Sequence, residues 1–377
     1  MHTCELLSFI ATIIWLAILF LPWKPYLTKE VLESDTSIKD PDLSDVTVLI
    51  PARNEAHVIK KTLSCLKDQG KGLKIILVDD ESVDGTSEKA KEAGIANLLI
   101  LRGKPLPDGW AGKIWALEQG FRLVNTPYLL IMDADIYLKK GVILALKKKM
   151  LNDGYDLVSL MAVLSMKRFW EKVLIPSFVY FFKLLYPFSL CNRKDLPFAA
   201  AAGGCMFTKR QVIEHIGGFE SIKSEIIDDC ALAKRIKQKG YSTWIGLTHS
   251  VISGREYKGL SDIWNMVARS AFTQLNYSFL LLGLCTLALV SSFVFPFLGI
   301  MSGRIIGLLI TLLSLSAMML TYIPVLDFYG LNRVWALALP VSGVLYLMMT
   351  WSSALRYLSG KRSVWKGRIY SANDISK

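Results

Sequence analysis

Six cysteines stand at positions 4, 65, 191, 205, 230 and 285, and no two of them are spaced as Cys-x-x-Cys. The usual zinc and dithiol motifs are therefore missing, and the chain reads as one kept in a reduced compartment. No internal repeat and no low-complexity tract interrupts it, which argues against solenoid and linker-type architectures. The apolar N-terminal stretch has no basic leader, since only His2 and Glu5 precede it, and no small-x-small cleavage signal follows in "LPWKPYLTKE". A retained anchor is expected rather than a cleaved signal peptide. The net charge is +12, yet no nucleic-acid motif accompanies the scattered clusters Lys139–Lys140, Lys147–Lys149 and Lys167–Arg168. Such charge suits anionic lipid headgroups and phosphorylated substrates, and no nucleic-acid partner is expected.

What the chain has in excess is apolar sequence. Hydrophobic residues make up 52% of it and the mean hydropathy is +0.37, more than an ordinary soluble enzyme carries. The excess is localised to 6–23 and to a C-terminal block comprising 278–302, 305–326 and 334–353. Between them the composition is that of a globular domain. The expected organisation is an N-terminal membrane anchor helix over 1–25, a globular domain over 40–277, C-terminal transmembrane helices over 278–355 and a basic tail over 356–377. Trp23, Tyr26, Lys24 and Lys29 suit the membrane–water boundary after the first segment. Residues 169–191 are rich in aromatics but broken by Glu171, Pro176, Lys183 and Pro187, which predicts an interfacial helix rather than a span.

From residue 46 onward short apolar runs alternate with amphipathic stretches. Strands are expected at 46–50, 75–78, 97–101 and 128–132, and helices at 57–67, 82–93 and 113–123. That alternation implies βαβ units and a mainly parallel sheet. Ligands of such sheets gather at the carboxyl ends of the strands. Three polar clusters sit at such ends: Pro51-Ala52-Arg53-Asn54-Glu55, Asp79-Asp80 and Asp133-Ala134-Asp135.

Asp133 and Asp135 are one residue apart, so in an extended segment their carboxylates point the same way. Two like charges so placed suit a hard divalent cation, Mg²⁺ or Mn²⁺, shared with substrate phosphates. In "VDDESVDGT" Ser82 or Asp84 can cap the next helix, but Asp79 and Asp80 precede the turn and are read as acceptors for a base N–H or a ribose hydroxyl. Asp228 and Asp229 open a further helix beside Ile226, Ile227 and Leu232, where partial desolvation would raise a pKa and make a general base. In "AAAAGGCMF" Gly203 and Gly204 are expected to allow close approach or unusual backbone angles.

Taken in order, "VLIPARNE", "LVDDESVDGT", "GKIWALEQG", "IMDAD", the "GGF" at 217–219 and "IDDCALAKRI" resemble the inverting family 2 glycosyltransferases of GT-A fold. "LPDGWAGKIWAL", "AAAAGGCMF" and "DIWNMVARSAFTQLNYS" narrow the resemblance to the membrane-bound, hopene-associated members, over nearly the whole chain. The resemblance implies an α/β, Rossmann-like GT-A domain between an N-terminal anchor and a C-terminal transmembrane region. It implies a nucleotide-sugar donor, a UDP-sugar being expected, a divalent metal, and one sugar moved to a lipid acceptor, in its narrowest form a hopanoid-related one. Pro51, Arg53, Glu55, Asp79, Asp80, Lys113 and Asp133 then match the nucleotide-sugar site, Asp133 and Asp135 the metal site, and Asp229, with Asp228 beside it, the catalytic base. Gly203, Gly204 and Arg269 match the acceptor side and its loop. Asp228 stands where the family more often has Glu. In "WNMVARS" Met266 and Ser270 stand where processive members have Gln and Trp, which counts against polymer synthesis. The rival expectations are a processive membrane polysaccharide synthase and an inactive binding or scaffold protein of the same fold. The implied location is a bacterial inner membrane, multi-pass, with the catalytic domain in the cytosol and membrane lipids around the anchors.

Overall fold

The computed structural model describes residues 3–365 and 368–371. The chain divides into two compact units. One, here the α/β unit, comprises 30–164, 188–256 and the described residues from 363. The other, the helical unit, comprises the N-terminus to Lys29, Ser165–Pro187 and Tyr257–Arg362. This division differs from the expected unbroken globular segment over 40–277, because residues 165–187 pack with the helical unit.

The α/β unit is built on an eight-stranded sheet of β1 (Val46–Ala52), β2 (Lys74–Asp79), β3 (Leu98–Arg102), β4 (Tyr128–Met132), β5 (Ile136–Leu138), β6 (Leu157–Val163), β7 (Cys205–Lys209) and β8 (Thr243–Ser253). Their order across the sheet is β3-β2-β1-β4-β7-β6-β8-β5. The pairs β1–β2, β1–β4, β2–β3 and β6–β8 are parallel, while β4–β7, β6–β7 and β5–β8 are antiparallel. The sheet is thus mixed but mostly parallel, as the alternation of strands and helices predicted. The expected strand at 128–132 is β4 residue for residue. Apolar side chains fill both faces: Val48, Ile50, Leu130 and Phe207 lie in one core and Leu49, Ile76, Leu129 and Ile131 in the other. Burial on both faces is why these strands read as continuous apolar runs.

Two departures from plain pairing shape the rim. β1 pairs with β2 as far as Ala52 but with β4 only as far as Leu49. Pro51, which has no N–H to donate, lies beyond that second pairing. On the other side of β4 runs β7, antiparallel, with Met132 opposite Cys205. The start of β7 therefore abuts the end of β4.

Among the described residues three helices, all in the helical unit, are long and apolar enough to cross a membrane: Thr3–Phe20, Ile305–Phe328 and the helical stretch Arg333–Leu358. The helices Phe279–Phe293 and Phe295–Met301 form a bent pair with an angle of 44°. The break falls at Val294, and in the first turn beyond it the Pro296 carbonyl accepts from Ser8 Oγ (3.0 Å) and Thr311 Oγ1 (2.7 Å). Trp15 Nε1 donates to Ser292 O (2.8 Å). A backbone broken in an apolar environment needs such partners, and the N-terminal helix supplies two of the three. The aromatic segment expected to form a helix rather than a span is one helix, Phe169–Leu185, continuous through Pro176. Ser342 Oγ and Tyr346 OH donate to Val173 O and Leu174 O, and Tyr180 is hydrogen-bonded to Thr321. One face of this helix is therefore interior, with Glu171 and Lys183 buried on it. Residues Phe188–Cys191, expected in the same segment, form a short separate helix in the α/β unit. Of the expected basic tail over 356–377, residues to Leu358 complete a helix, while 366–367 and the chain after 371 lie outside the described residues.

Candidate active site

The carboxyl ends of β1 and β2 and the loops after them are stitched together. Asp79 ends β2, and its carboxylate accepts from Ser82 N (2.9 Å) and from Ser87 Oγ. Asn54 and Ser82 are joined by Asn54 N donating to Ser82 Oγ, and Val83 N donates to Asn54 Oδ1. Glu55 N donates to Thr86 Oγ1, and Asp84 accepts from Ala56 N. Asp80 is fully buried and lies 3.6 Å from Arg53 Nη1, which also donates to the Asp80 carbonyl. Asp79 thus braces the turn that opens the helix Thr86–Lys91, and Asp80 is a counter-charge of Arg53.

The second group forms around the end of β4. Asp133 follows Met132 directly, its N–H donating to Gly204 O (3.3 Å). Thr62 Oγ1 on the helix Ile59–Lys67 donates to Ala134 O (2.6 Å) and so holds the Asp133–Asp135 turn from beneath. Lys113, in the first turn of the helix Gly112–Phe121, places its Nζ 2.8 Å from Asp133 Oδ1 and 3.0 Å from Asp228 Oδ2. Burial works against the charge of Lys113, but Asp133 and Asp228 outweigh it and hold the ammonium protonated. Burial, opposed by Lys113 and aided by Asp135 and Asp228, raises the pKa of Asp133.

Asp228 and Asp229 begin the helix Asp228–Gln238 and diverge as neighbouring helical residues must. Asp228 turns to Lys113. Asp229 accepts from Gly203 N at Oδ2 (2.8 Å) and from Cys230 N at Oδ1 (2.7 Å). Burial, then the charge of Asp228, pushes the Asp229 pKa up to about 6, against Lys113 and the two backbone donors. It is a carboxylate poised to take a proton near neutral pH.

Gly203 and Gly204 are explained by room and not by backbone angle. Neither is among the positive-φ glycines. A Cβ at Gly203 would lie 3.3 Å from both Asp229 Oδ2 and Lys113 Nζ. A Cβ at Gly204 would lie 3.1 Å from Ile136 Cδ1. Thus Lys113, Asp133, Asp135, Gly203, Gly204, Asp228 and Asp229 converge, while Pro51, Arg53, Glu55, Asp79 and Asp80 form the adjoining rim at the ends of β1 and β2. Arg269 belongs to the helical unit, at the end of the helix Leu260–Ala268, with its N–H donating to Asn265 O. One residue that sequence reasoning passed over is Gly103, which follows β3 directly. Its N–H donates to Asp79 O (2.8 Å), and a Cβ there would lie 3.0 Å from that same oxygen. A glycine at a strand end beside an acidic pair was the available signal.

The residues fit a divalent ion of one kind. Among the described residues no group of three or more His, Cys, Asp or Glu is arranged to hold an ion by itself. Asp133 and Asp135 can offer two carboxylates, and a cation would offset both the burial and the neighbouring negative charge that raise Asp133. That is the donor set of an ion such as Mg²⁺ or Mn²⁺, which completes its shell with water and diphosphate oxygens.

Known proteins resemble this chain in sequence and in fold. Residues 47–217 match the family model described as Glycosyl transferase family 2. A 4,4'-diaponeurosporenoate glycosyltransferase of Staphylococcus haemolyticus is 32% identical over 113 residues, 30% of this chain and 30% of that protein. A probable glycosyltransferase, YdaM, of Bacillus subtilis is 28% identical over 214 residues, 53% of this chain and 48% of that one. The chain thus matches about a third to a half of the length of these curated relatives. A mannosyltransferase of Pyrobaculum calidifontis, solved in complex with GDP-Man and Mn²⁺, superposes with a TM-score of 0.55 at 16% identity, covering 94% of this chain and 99% of that one. At that identity the likeness is one of fold.

Proposed function

We propose, from the premise that residues 47–217 carry a family 2 glycosyltransferase domain within a GT-A fold, that this protein is an inverting glycosyltransferase. It moves one sugar from a nucleoside-diphosphate donor to a hydroxyl of a lipid acceptor. The observation that carries the reading is the Asp229 carboxylate. It is held by the Gly203 and Cys230 N–H groups, with a pKa pushed up to about 6, beside the Lys113–Asp133 pair.

Asp229 takes the proton of the acceptor hydroxyl as its oxygen bonds to the anomeric carbon. The bond from that carbon to the donor phosphate breaks, and the nucleoside diphosphate leaves with the electron pair. Attack opposite the leaving group inverts the anomeric centre. Lys113 supplies a fixed positive charge toward the departing phosphate, and Asp228 holds its ammonium in place. Asp133 and Asp135 would hold a divalent ion, which when bound offsets the charge of the diphosphate. Arg53, fixed by Asp80, and the Asp79-braced turn frame the nucleotide.

The lipid acceptor is supported by three helices long enough to cross a membrane and by a relative named for 4,4'-diaponeurosporenoate. A polycyclic triterpenoid acceptor and a UDP-sugar donor are the narrower proposals, resting on the sequence resemblance. We place the α/β unit in the cytosol of a bacterial cell, where nucleotide sugars are made. If the bent pair Phe279–Met301 re-enters without crossing, two spans remain after the α/β unit. The C-terminal tail, basic through Lys361, Arg362, Lys366 and Arg368, then returns to the cytosol, in accord with the preference of positive charge for that side. The decisive test is a comparison of membrane lipids between a deletion strain and its parent, with transfer from UDP-sugars and GDP-mannose assayed on the lipid that is lost. No missing glycolipid, and no transfer from any nucleotide sugar, would refute the proposal.

A further inference from the structure

The helical unit carries a groove of about 600 Å³ that has no part in the chemistry above and is built from that unit alone. One wall is Trp264, on the helix Leu260–Ala268. The other is a stripe of the helix Leu339–Leu358, where Leu347, Trp351 and Leu355 recur every four residues and Met348 lies three before Trp351, so that they share a face. Apart from Ser352, that stripe is apolar until the last turn, where Arg356 and Ser359 replace it. Met348, Trp351 and Leu355 are 51%, 42% and 59% exposed, respectively.

The polar end is organised. Arg356 Nη2 donates to Asn265 Oδ1 (2.7 Å) on the opposite helix, which fixes the guanidinium across the groove. Among the described residues Arg356 makes no ion pair, so most of its five N–H donors and its whole charge remain to be matched. Trp351 donates its indole N–H to Thr286 Oγ1 (3.0 Å), which anchors the ring while one face stays open. The Arg333–Leu358 stretch is one of those long enough to cross a membrane, and Arg356 stands at its end. Trp and Arg at such an end mark the depth of lipid headgroups.

We infer that this groove holds a membrane phospholipid with an anionic head, its acyl chain along Leu347, Met348, Trp351 and Leu355 and its phosphate on Arg356. A free anion would leave the apolar stripe uncovered, and a zwitterionic lipid, whose headgroup cation offsets its phosphate, would match the guanidinium less well than an anionic head. The volume lies within the usual range for a small-molecule site. A charge-assisted contact at the membrane surface separates anionic from zwitterionic lipid by roughly fivefold.

The test uses the full-length protein, purified in detergent, delipidated and titrated with phosphatidylglycerol or phosphatidylcholine while bound lipid is counted by native mass spectrometry. Phosphatidylglycerol is expected to bind roughly fivefold more tightly. Arg356→Gln should bring the two lipids level, and Arg356→Lys should keep the preference. Phosphatidylglycerol brominated on its acyl chain should quench tryptophan emission, and the Trp264→Phe, Trp351→Phe double variant should lose part of that quenching. Equal binding of the two lipids to the unaltered protein would overturn the inference. So would a preference that survives in Arg356→Gln, or displacement of the lipid by inorganic phosphate alone. Should Arg356→Gln not fold, the quenching experiment still decides: quenching unchanged in the double variant places the lipid elsewhere and refutes the groove.

Discussion

Replacing Asp229 by Asn removes a proton acceptor while keeping the side chain's shape, and the structure assigns it two separable effects. The first is on rate. Loss of a general base costs about 10²–10⁴-fold, so single-turnover transfer should nearly vanish while nucleotide-sugar affinity stays close to normal. The second is on stability and follows from the pKa pushed from 3.8 to about 6. Between those two values the folded protein holds a proton that the unfolded chain has released. This group therefore makes the fold lose stability as pH rises from about 4 to 6, and above 6 the whole cost is present. For a dry carboxylate that cost is on the order of 3 kcal/mol. Asp229 is only partly buried, and solvent at the rim reduces it to about 1–2 kcal/mol. The amide of the Asp229→Asn variant is neutral throughout, but its NH₂ cannot accept, so either the Gly203 or the Cys230 N–H loses its partner at about 1–3 kcal/mol. The two effects nearly cancel at pH 7.5, where the variant should match the unaltered protein in stability. At pH 4.5, where only part of that cost has set in, the variant should be the weaker by about 1 kcal/mol. Thermal unfolding in detergent with chelator, from pH 4.5 to 7.5, reads the second effect. A stability gap that does not shrink as pH rises would refute the pKa reasoning. A rate close to normal would refute the role of Asp229, and a lost rate in Asp228→Asn alone would move that role to its neighbour.

Four further outcomes are expected. Asp135→Asn should greatly weaken nucleotide-sugar binding in the presence of Mg²⁺ or Mn²⁺, and calorimetry showing equal affinity with and without the ion in both proteins would contradict the assignment. Gly203→Ala, whose methyl would press within 3.3 Å of Asp229 Oδ2 and Lys113 Nζ, should cost roughly 10–100-fold in kcat with little change in thermal stability; an unaltered kcat would show that the gap is incidental. Gly141→Ala should cost about 2–5 kcal/mol, because φ is +88° and the new Cβ would lie 2.1 Å from the Asp35 carbonyl oxygen, a backbone atom that cannot turn aside; a neutral thermal shift would be the contrary result. A reporter fused after Lys377 should be active only in its cytosolic form, and an active periplasmic reporter there would rule out re-entry of Phe279–Met301.

Elements whose periodicity is local could be read from the chain alone. β4 was legible from an apolar run ended by Asp133, and the helix at Asp228 from its acidic start, because a strand's burial and a helix's first turn are written in a few consecutive residues. The convergence of acids at strand ends was legible for the same reason, since parallel βαβ units bring those ends to one edge. What sequence could not supply was the pairing between distant segments. The antiparallel course of β7 against β4 emerged only in three dimensions. That pairing sets Gly203 and Gly204 beside Asp133 and gives the Asp229 carboxylate a backbone donor. The bridge from Lys113 to Asp133 and Asp228 emerged in the same way, as did the engagement of Asp79 and Asp80 by Ser82, Ser87 and Arg53. The same holds for 169–185, expected as a helix, whose partners only the packing supplies. The helix runs through Pro176, and Ser342 and Tyr346 hydrogen-bond to the Val173 and Leu174 carbonyls in the turn before it. A carboxylate's role depends on which donors and charges lie within a few ångströms, and those are set by the packing of residues far apart in the chain.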